Sequence, residues 1–545
     1  MKQPTEKLLI SIIKDSLKEL DWQLPDKELY LDLPQDARFG DLASNAALKL
    51  TKVLKKSPRE IAQSIVHTLS NHLQNCPLKG YVKDIKIEGA GFINFYLNDS
   101  YFHHELKSLL LEGKDYLRAD SGKGKKVLIE FVRANPTGPL SVAHARQAAV
   151  GDALANILAF LGFEVQKEYY LNDEGNQINI LGRSVDLRLK ELLGESIEFP
   201  EDHYQGDYIY DIAREIMDKK LQVKDHGEFA GEHILNIIKQ ELNDFGVRFD
   251  NWYSQKALGK SGKVEKALDD LKKKGFIYEQ DGAVWFKSTE LGDDKDRVVI
   301  KSDKTYTYLT PDIAYHQEKY NRGFDWLINL WGPDHHGYIS RLKASVAAFG
   351  HDPQSLSIII VQLATIFREG NPVQMSTRKG QYITLREVLE ETGPDAARFF
   401  FLMRRTSSHL DFDLDVAKKQ TKENPVYYVQ YAHARISSIL NSYGSKVDAS
   451  LADLSVLKEK EEIELMKKIC QFSYILTICL GTQDPYMITI YLQELAEDFH
   501  KFYDLHRVLG QDEKVTTARI VLLKAAQIII AAGLDLMGIS KPEKM

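Results

Sequence analysis

The period of the apolar positions divides the chain into three stretches. Leu8 to Leu20 repeats at helical spacing and predicts an amphipathic helix, and residues 41–56 and 58–73 predict two more. Residues 85–97, Ile-Lys-Ile-Glu-Gly-Ala-Gly-Phe-Ile-Asn-Phe-Tyr-Leu, predict two short strands around a glycine turn. Residues 1–118 therefore read as a small α+β domain, followed by the Gly- and Lys-rich linker 120–126. From 119 to 394, short β-branched runs alternate with helical patterns, which predicts a parallel sheet. Its strands are placed at 127–132, 165–171, 326–331 and 357–361, and the last two are nearly continuous apolar runs, as expected when both faces are covered. A more polar, mostly helical stretch at about 190–260 reads as an insertion. Beyond 395 the strand signal vanishes, and helical patterns at 425–440, 461–480, 489–509 and 516–536 predict an all-α bundle to residue 545. The fold class is multidomain α/β: a Rossmann-like core, a small α+β N-terminal domain and an all-α C-terminal bundle.

Composition narrows the class of partner. A length of 545 residues suits about three domains, and 43% hydrophobic with 27% charged residues is ordinary for a globular protein. No unbroken apolar run approaches the roughly 20 residues of a membrane span, so no membrane partner is expected. The first residues carry no targeting signature, and three cysteines (Cys76, Cys470, Cys479) make no disulfide framework, so a cytoplasmic location is expected. A net charge of −7 means that any nucleic acid would be held by local basic patches.

The chemistry concentrates in five places. Residues 126–160 read as strand, Pro/Gly loop, helix, which presents a helix N-terminus to a phosphate and gathers Glu130, Asn135 and His144 at its mouth. His144 in the first helical turn either donates to a phosphate or simply caps the helix. Directly after a predicted buried strand, Gly332, Asp334 and His335 are placed to meet a ribose; the adjacent His335 and His336 point apart, and no metal site is read there. The Gly-ended loop 373–380 carries Met375, Ser376 and the cations Arg378 and Lys379, which could close over a triphosphate. Tyr308 and Asp312, four apart, could converge on a polar ligand or mark a turn. If one helix continued through Pro58, Lys49, Lys52, Lys56 and Arg59 would share a face suited to a phosphate backbone, or a merely solvated one.

In this order the motifs resemble a class I aminoacyl-tRNA synthetase, specifically an arginyl-tRNA synthetase, over essentially the whole chain. Ala134-Asn135-Pro136-Thr137-Gly138-Pro139-Leu140-Ser141-Val142-Ala143-His144 is similar to the family's "HIGH" signature, and Gln374-Met-Ser-Thr-Arg378 sits where its "KMSKS" loop belongs. Residues 393–398 and 429–436 resemble the start of the helical anticodon-binding domain, 538–545 the family's C-terminus, and 31–97 its N-terminal extension, which touches the tRNA elbow. The chain departs from the signatures at Ser141 and Ala143, and both "KMSKS" lysines are replaced, by Gln374 and Thr377.

The resemblance implies that arginine and ATP form arginyl-adenylate and pyrophosphate, and that the arginyl group then passes to the 3′-terminal ribose of tRNA(Arg). ATP would enter as a substrate with Mg2+, with no prosthetic group, and a monomer is expected. Glu130, Asn135, Tyr308 and Asp312 would hold arginine. Ser141, Ala143, His144, Gly332, Asp334, His335, Met375, Ser376, Arg378 and Lys379 would serve ATP and catalysis. Lys49, Lys52, Lys56, Arg59, Tyr431, Arg435 and Met545 would touch tRNA. Two other readings stay open: a class I synthetase for another amino acid, and a tRNA-binding paralogue that has lost activation.

Overall fold

The β-branched run after the linker forms the centre of a sheet, buried from Val127 to Glu130. The computed structural model describes residues 5–25, 29–34, 36–74, 76–118, 120–373, 382–445 and 448–545. Strand Lys126–Glu130 pairs in parallel with Glu164–Leu171 on one side and Trp326–Trp331 on the other. Asn251–Ser254 and Leu356–Ile360 complete a five-stranded, all-parallel sheet. In chain order the strands lie 5-4-1-2-3, so the order reverses between the first and fourth strands, and ligands of such sheets bind at the carboxyl ends there. One core cluster joins Leu128, Leu327, Trp331 and Leu356 to Leu342 and Val346 of the helix Ile339–Phe349.

The helix Val142–Phe160 is buried along most of its length, its polar Arg146, Gln147 and Asp152 included. It approaches the sheet closely because residue 151 is glycine: a Cβ there would lie 2.3 Å from the ring of Phe131. Gly151→Ala is therefore expected to cost about 1–3 kcal/mol through overpacking, seen as a lower melting temperature in a thermal scan; an unchanged midpoint would show that the ring can move aside. Further along, buried Arg398 donates to the carbonyls of Phe245 and Met537 and pairs with Asp152. Gly538, at φ +65°, passes so near this guanidinium that a Cβ would meet Nη2 at 2.5 Å.

The chain forms two compact units, 1–116 with 443–470 and 501–526, and 117–442 with 471–500 and 527–545. The first contains a four-stranded antiparallel sheet, ordered Leu31–Asp32, Leu42–Ser44, Phe92–Leu97, Val82–Glu88, with the helices Thr5–Glu19, Ala46–Leu54 and Pro58–Gln74. The parallel sheet belongs to the second.

Several sequence expectations change. The helix expected over 41–56 begins only at Ala46, because Leu42–Ser44 pairs with Phe92–Leu97, and it ends at Lys55 in the left-handed conformation. A new helix opens at Pro58, so Lys49 and Lys52 stand on one helix, Arg59 on the next and Lys56 between them, and the four do not share one helical face. The polar stretch 190–260 is helical as expected over Asp207–Asp218 and His226–Asp244, yet it ends in a strand of the main sheet, Asn251–Ser254. Strand structure also persists past 395, where Leu410–Asp413 pairs in parallel with Ala364–Arg368. The pattern at 461–480 splits into Lys460–Cys470 and Phe472–Thr482. The C-terminal helix Glu513–Met537 has the length and hydropathy of a membrane span, but 72% of its most apolar window is buried in the protein, as in a core helix.

Candidate active site

The first sheet strand stops earlier than its apolar run suggests. Val132 and Arg133 adopt φ +73° and +50°, and the Arg133 N–H donates to the carbonyl of Phe131 at 3.1 Å in a three-residue turn. A β-branched residue at positive φ is strained, and such strain concentrates at functional sites. The turn carries the chain into a cavity of about 680 Å³ at the carboxyl ends of the strands, lined by Arg133, Asn135, Ala143 and His144 from the signature segment. Trp331, Gly332, Asp334 and His335 line it from the fourth strand's end, Tyr170 and Asn172 from the second strand's, and Tyr308, Asp312 and Tyr338 complete the wall. A lobe of about 830 Å³ adjoins it, sharing Arg133, Asn135, His144 and Tyr308 and adding Ser141. The cavity thus occupies the reversal point of the sheet.

The signature loop is held from both sides. Buried Ala134 accepts from the Tyr169 hydroxyl at 2.8 Å, Thr137 from Tyr208 at 2.7 Å and Pro139 from Tyr382 at 3.0 Å. Gly138 fits beneath these two rings: a Cβ would meet the Tyr208 hydroxyl at 3.1 Å. Pro136 carries the Asn135–Thr137 turn, Leu140 and Val142 are buried, and the carbonyl of Leu140 accepts from the Leu385 N–H at 2.8 Å. Asn135 donates to Gln177. Ala143 presents its methyl on the cavity wall. Met375, Ser376, Arg378 and Lys379 lie outside the described residues, but Tyr382 and Thr384 anchor the segment that follows them to Pro139 and Ser141.

Ser141 caps the signature helix, and its arrangement fixes the tautomer of His144. The Ser141 backbone N–H donates to His144 Nδ1 at 3.2 Å, with Ser141 Oγ 3.1 Å from the same nitrogen. A backbone N–H can only donate, so Nδ1 accepts and the neutral ring carries its proton on Nε2. Burial pushes this imidazole down to about 4. His144 therefore presents a neutral N–H donor at a helix N-terminus.

Beneath the cavity lies a buried ion network. Glu130 is fully buried, does not line the cavity, and pairs with Lys319 and with Arg133, whose Nε is 3.1 Å from Oε1. Arg133 Nη2 reaches Asp312 Oδ1 at 3.3 Å, and its guanidinium lies 4.7 Å from the Tyr170 ring centroid. Burial raises the Asp312 carboxyl, an effect that Arg133 opposes. Tyr308 is exposed at the mouth. A Cβ at Gly332 would meet Asp334 Oδ1 at 2.7 Å, a contact that the exposed Asp334 side chain relieves by turning, and Asp334 and His335 are exposed on the same rim.

Comparison with known proteins decides what this cavity belongs to. Residues 105–403 match the family model "tRNA synthetases class I (R), catalytic domain", residues 7–97 match "Arginyl tRNA synthetase N terminal domain", and residues 429–545 match "DALR anticodon binding domain". The chain is 47% identical over 529 residues to an arginine–tRNA ligase of Citrifermentans bemidjiense, covering 94% of each chain. It is 45% identical to that of Geobacillus kaustophilus, covering 99% of this chain and 98% of the relative. The chain belongs to the arginyl-tRNA synthetase family. Its fold is that of the Thermus thermophilus arginyl-tRNA synthetase, at a TM-score of 0.78 with 22% identity, covering 99% of this chain and all of the other.

In this family member, sequence reasoning reached Asn135, Ala143, His144, Tyr308, Asp312, Gly332, Asp334 and His335 on the cavity wall but missed other residues of that wall and the lysine behind it. Arg133, Tyr170, Gln147 and Lys319 were not singled out. Lys319 had a signal: Asp312, Tyr315, His316 and Lys319 follow helical spacing on Leu309–Asn321, a polar stripe on a face that is buried. His316 Nδ1–H donates to the Asp312 carbonyl at 2.7 Å, and Lys319 donates to Asn329 Oδ1 at 3.1 Å. The missed Arg146 donates to the carbonyls of Gln362, Leu363, Arg405 and Ser408, fixing one cavity edge.

The candidate tRNA residues lie elsewhere. Lys49, Lys52, Lys56 and Arg59 are all exposed. Arg435 donates to the Tyr431 hydroxyl at 2.7 Å, so the two do share a helical face; Tyr431 is half-buried and stacked on His500 at 5.7 Å. Met545 is 50% exposed.

Proposed function

We propose that this chain ligates L-arginine to tRNA(Arg) through an arginyl-adenylate, with the cavity at the sheet's reversal point as the activation site. The observation that carries this reading is the single wall on which an acidic, buried end at Asp312 meets an anion-receiving helix start at His144. Asp312, with Tyr308 at the mouth and Asn135 beside it, receives the arginine; Glu130 holds the floor of that subsite through Arg133 and Lys319. His144 Nε2, aided by Ser141, receives ATP phosphate, and Gly332, Asp334 and His335 form the ribose rim, with Ala143 beneath the adenosine. Arg378 and Lys379 serve as the cations over the triphosphate. No enzyme nucleophile is needed, because the arginine carboxylate attacks the α-phosphate and pyrophosphate leaves; positioning and charge stabilisation carry the step.

Mg2+ enters with ATP and is held chiefly by its phosphates, since the described residues form no His/Cys/Asp/Glu cluster able to cage a metal. The N-terminal segment 1–118 meets the tRNA elbow, with Lys49, Lys52, Lys56 and Arg59 as phosphate contacts. Residues 119–394 form the catalytic domain, and residues 395–545, including Met545 at the end, read the anticodon. The protein works in the cytoplasm as a monomer. Charging of tRNA(Arg) with radiolabelled arginine tests the reading: acid-stable, base-labile arginyl-tRNA is expected, and tRNA binding without charging would favour a paralogue that has lost activation.

Tyr431 supplies a further expected result. Tyr431→Leu should raise the KM for tRNA(Arg) about tenfold, in line with a lost base–aromatic stack of roughly 1–3 kcal/mol, while Tyr431→Phe stays near wild type. Equal KM values for the two variants and the parent would return Tyr431 to packing against His500.

A further inference from the structure

We propose that Arg133 is an internal occupant of the substrate guanidinium site, which arginine must displace to bind. The proposal rests on the reading of Asp312 as the acceptor of the substrate guanidinium. That acceptor is already engaged: Arg133 Nη2 lies 3.3 Å from Asp312 Oδ1, its Nε lies 3.1 Å from Glu130, and its plane sits over Tyr170. A guanidinium between two carboxylates, beside an aromatic ring, is what an arginine-selective pocket offers its ligand.

Charge balance makes the two occupants exclusive. The fully buried carboxylates of Glu130 and Glu168 and the partly exposed one of Asp312 face three cations, Lys319 on Glu130, Arg322 on Glu168, and Arg133. A second guanidinium at Asp312 would add an uncompensated positive charge where solvent is scarce, next to a like charge. Of the three cations only Arg133 lines the cavity, so it is the one able to withdraw. It also lines the adjoining lobe, whose wall carries Glu174 as an alternative partner. The positive φ at Val132 and Arg133 explains why the side chain turns back over the strand end rather than continuing away from it.

An occupant lowers apparent affinity by the fraction of time that the site is vacant. Arg133→Ala should therefore lower the KM for arginine about tenfold in ATP–pyrophosphate exchange with tRNA present, while the KM for ATP changes less than about twofold. Because the variant leaves Asp312 short of a partner, arginine should also raise its melting temperature more than it raises that of the parent. Arg133→Gln, which keeps hydrogen-bonding capacity without charge, gives the same test should the alanine variant not fold, and a crystal structure of the parent with arginine should show Arg133 parted from Asp312. An arginine KM that is unchanged or raised in both variants would overturn the proposal and leave Arg133 as a support for Asp312. If Asp312→Asn leaves the arginine KM intact, the guanidinium site itself is misassigned, and the occupant falls with it.

Discussion

Asp312→Asn is expected to reduce kcat/KM for arginine by two to three orders of magnitude while leaving the KM for ATP within about twofold. The substitution keeps shape and removes charge. Asp312 sits at the inner end of the cavity with a side chain only 16% exposed, so its attraction for a guanidinium is poorly screened. Removing one partner of a buried, hydrogen-bonded charge pair costs about 2–5 kcal/mol, and 1.4 kcal/mol is about tenfold. Lysine and citrulline should stay excluded from the parent, the first for want of a planar fork and the second for want of charge. Initial-rate pyrophosphate exchange measures both KM values; an arginine KM and rate equal to the parent's would remove Asp312 from the site.

The second large effect belongs to His144. His144→Ala should lower the activation rate roughly 10²- to 10³-fold, the usual loss when one donor to developing charge is removed, with little change in arginine KM. His144→Asn, which can offer an N–H from a shorter arm, should recover part of it. The pH dependence has a definite sign. The free imidazole titrates near 6.5 and the buried one near 4, so between these values the unfolded chain holds a proton that the native chain lacks. Stability from this group is fully present above about 6.5 and is lost as pH falls toward 4. Denaturant midpoints should accordingly fall over that window less steeply for His144→Ala than for the parent. An identical pH slope would show that the ring does not titrate as its burial requires.

These expectations show which parts of the molecule local sequence rules could reach. The strand–loop–helix around Glu130 and His144 is written in adjacent residues: a β-branched run, a Pro/Gly loop and an Ala-rich helical pattern. The rim at Gly332–His335 follows a strand whose bounds, Trp326–Trp331, agree with the apolar run. Where pairing is remote, the same rules failed. Leu42–Ser44 is a strand only because Phe92–Leu97 comes to meet it, and Asn251–Ser254 joins the sheet against Glu168–Leu171, far back in the chain.

The site was legible to the same degree. Tyr308 and Asp312 lie four apart on one helix start, and both line the cavity. Arg133 and Lys319 were passed over because an isolated charge in a sequence ordinarily means a solvated surface. Here each is paired with the buried Glu130, 189 positions away in the case of Lys319. Burial of a cation by a distant carboxylate leaves no local trace, apart from a polar stripe on a helix that has no water to face.

The central claim is that this cavity activates arginine and no other amino acid. ATP–pyrophosphate exchange with each of the standard amino acids, in the presence and absence of tRNA(Arg), tests it most directly. Exchange is expected with arginine alone and with tRNA present. Exchange driven by another amino acid, or none with arginine when tRNA is supplied, would contradict it.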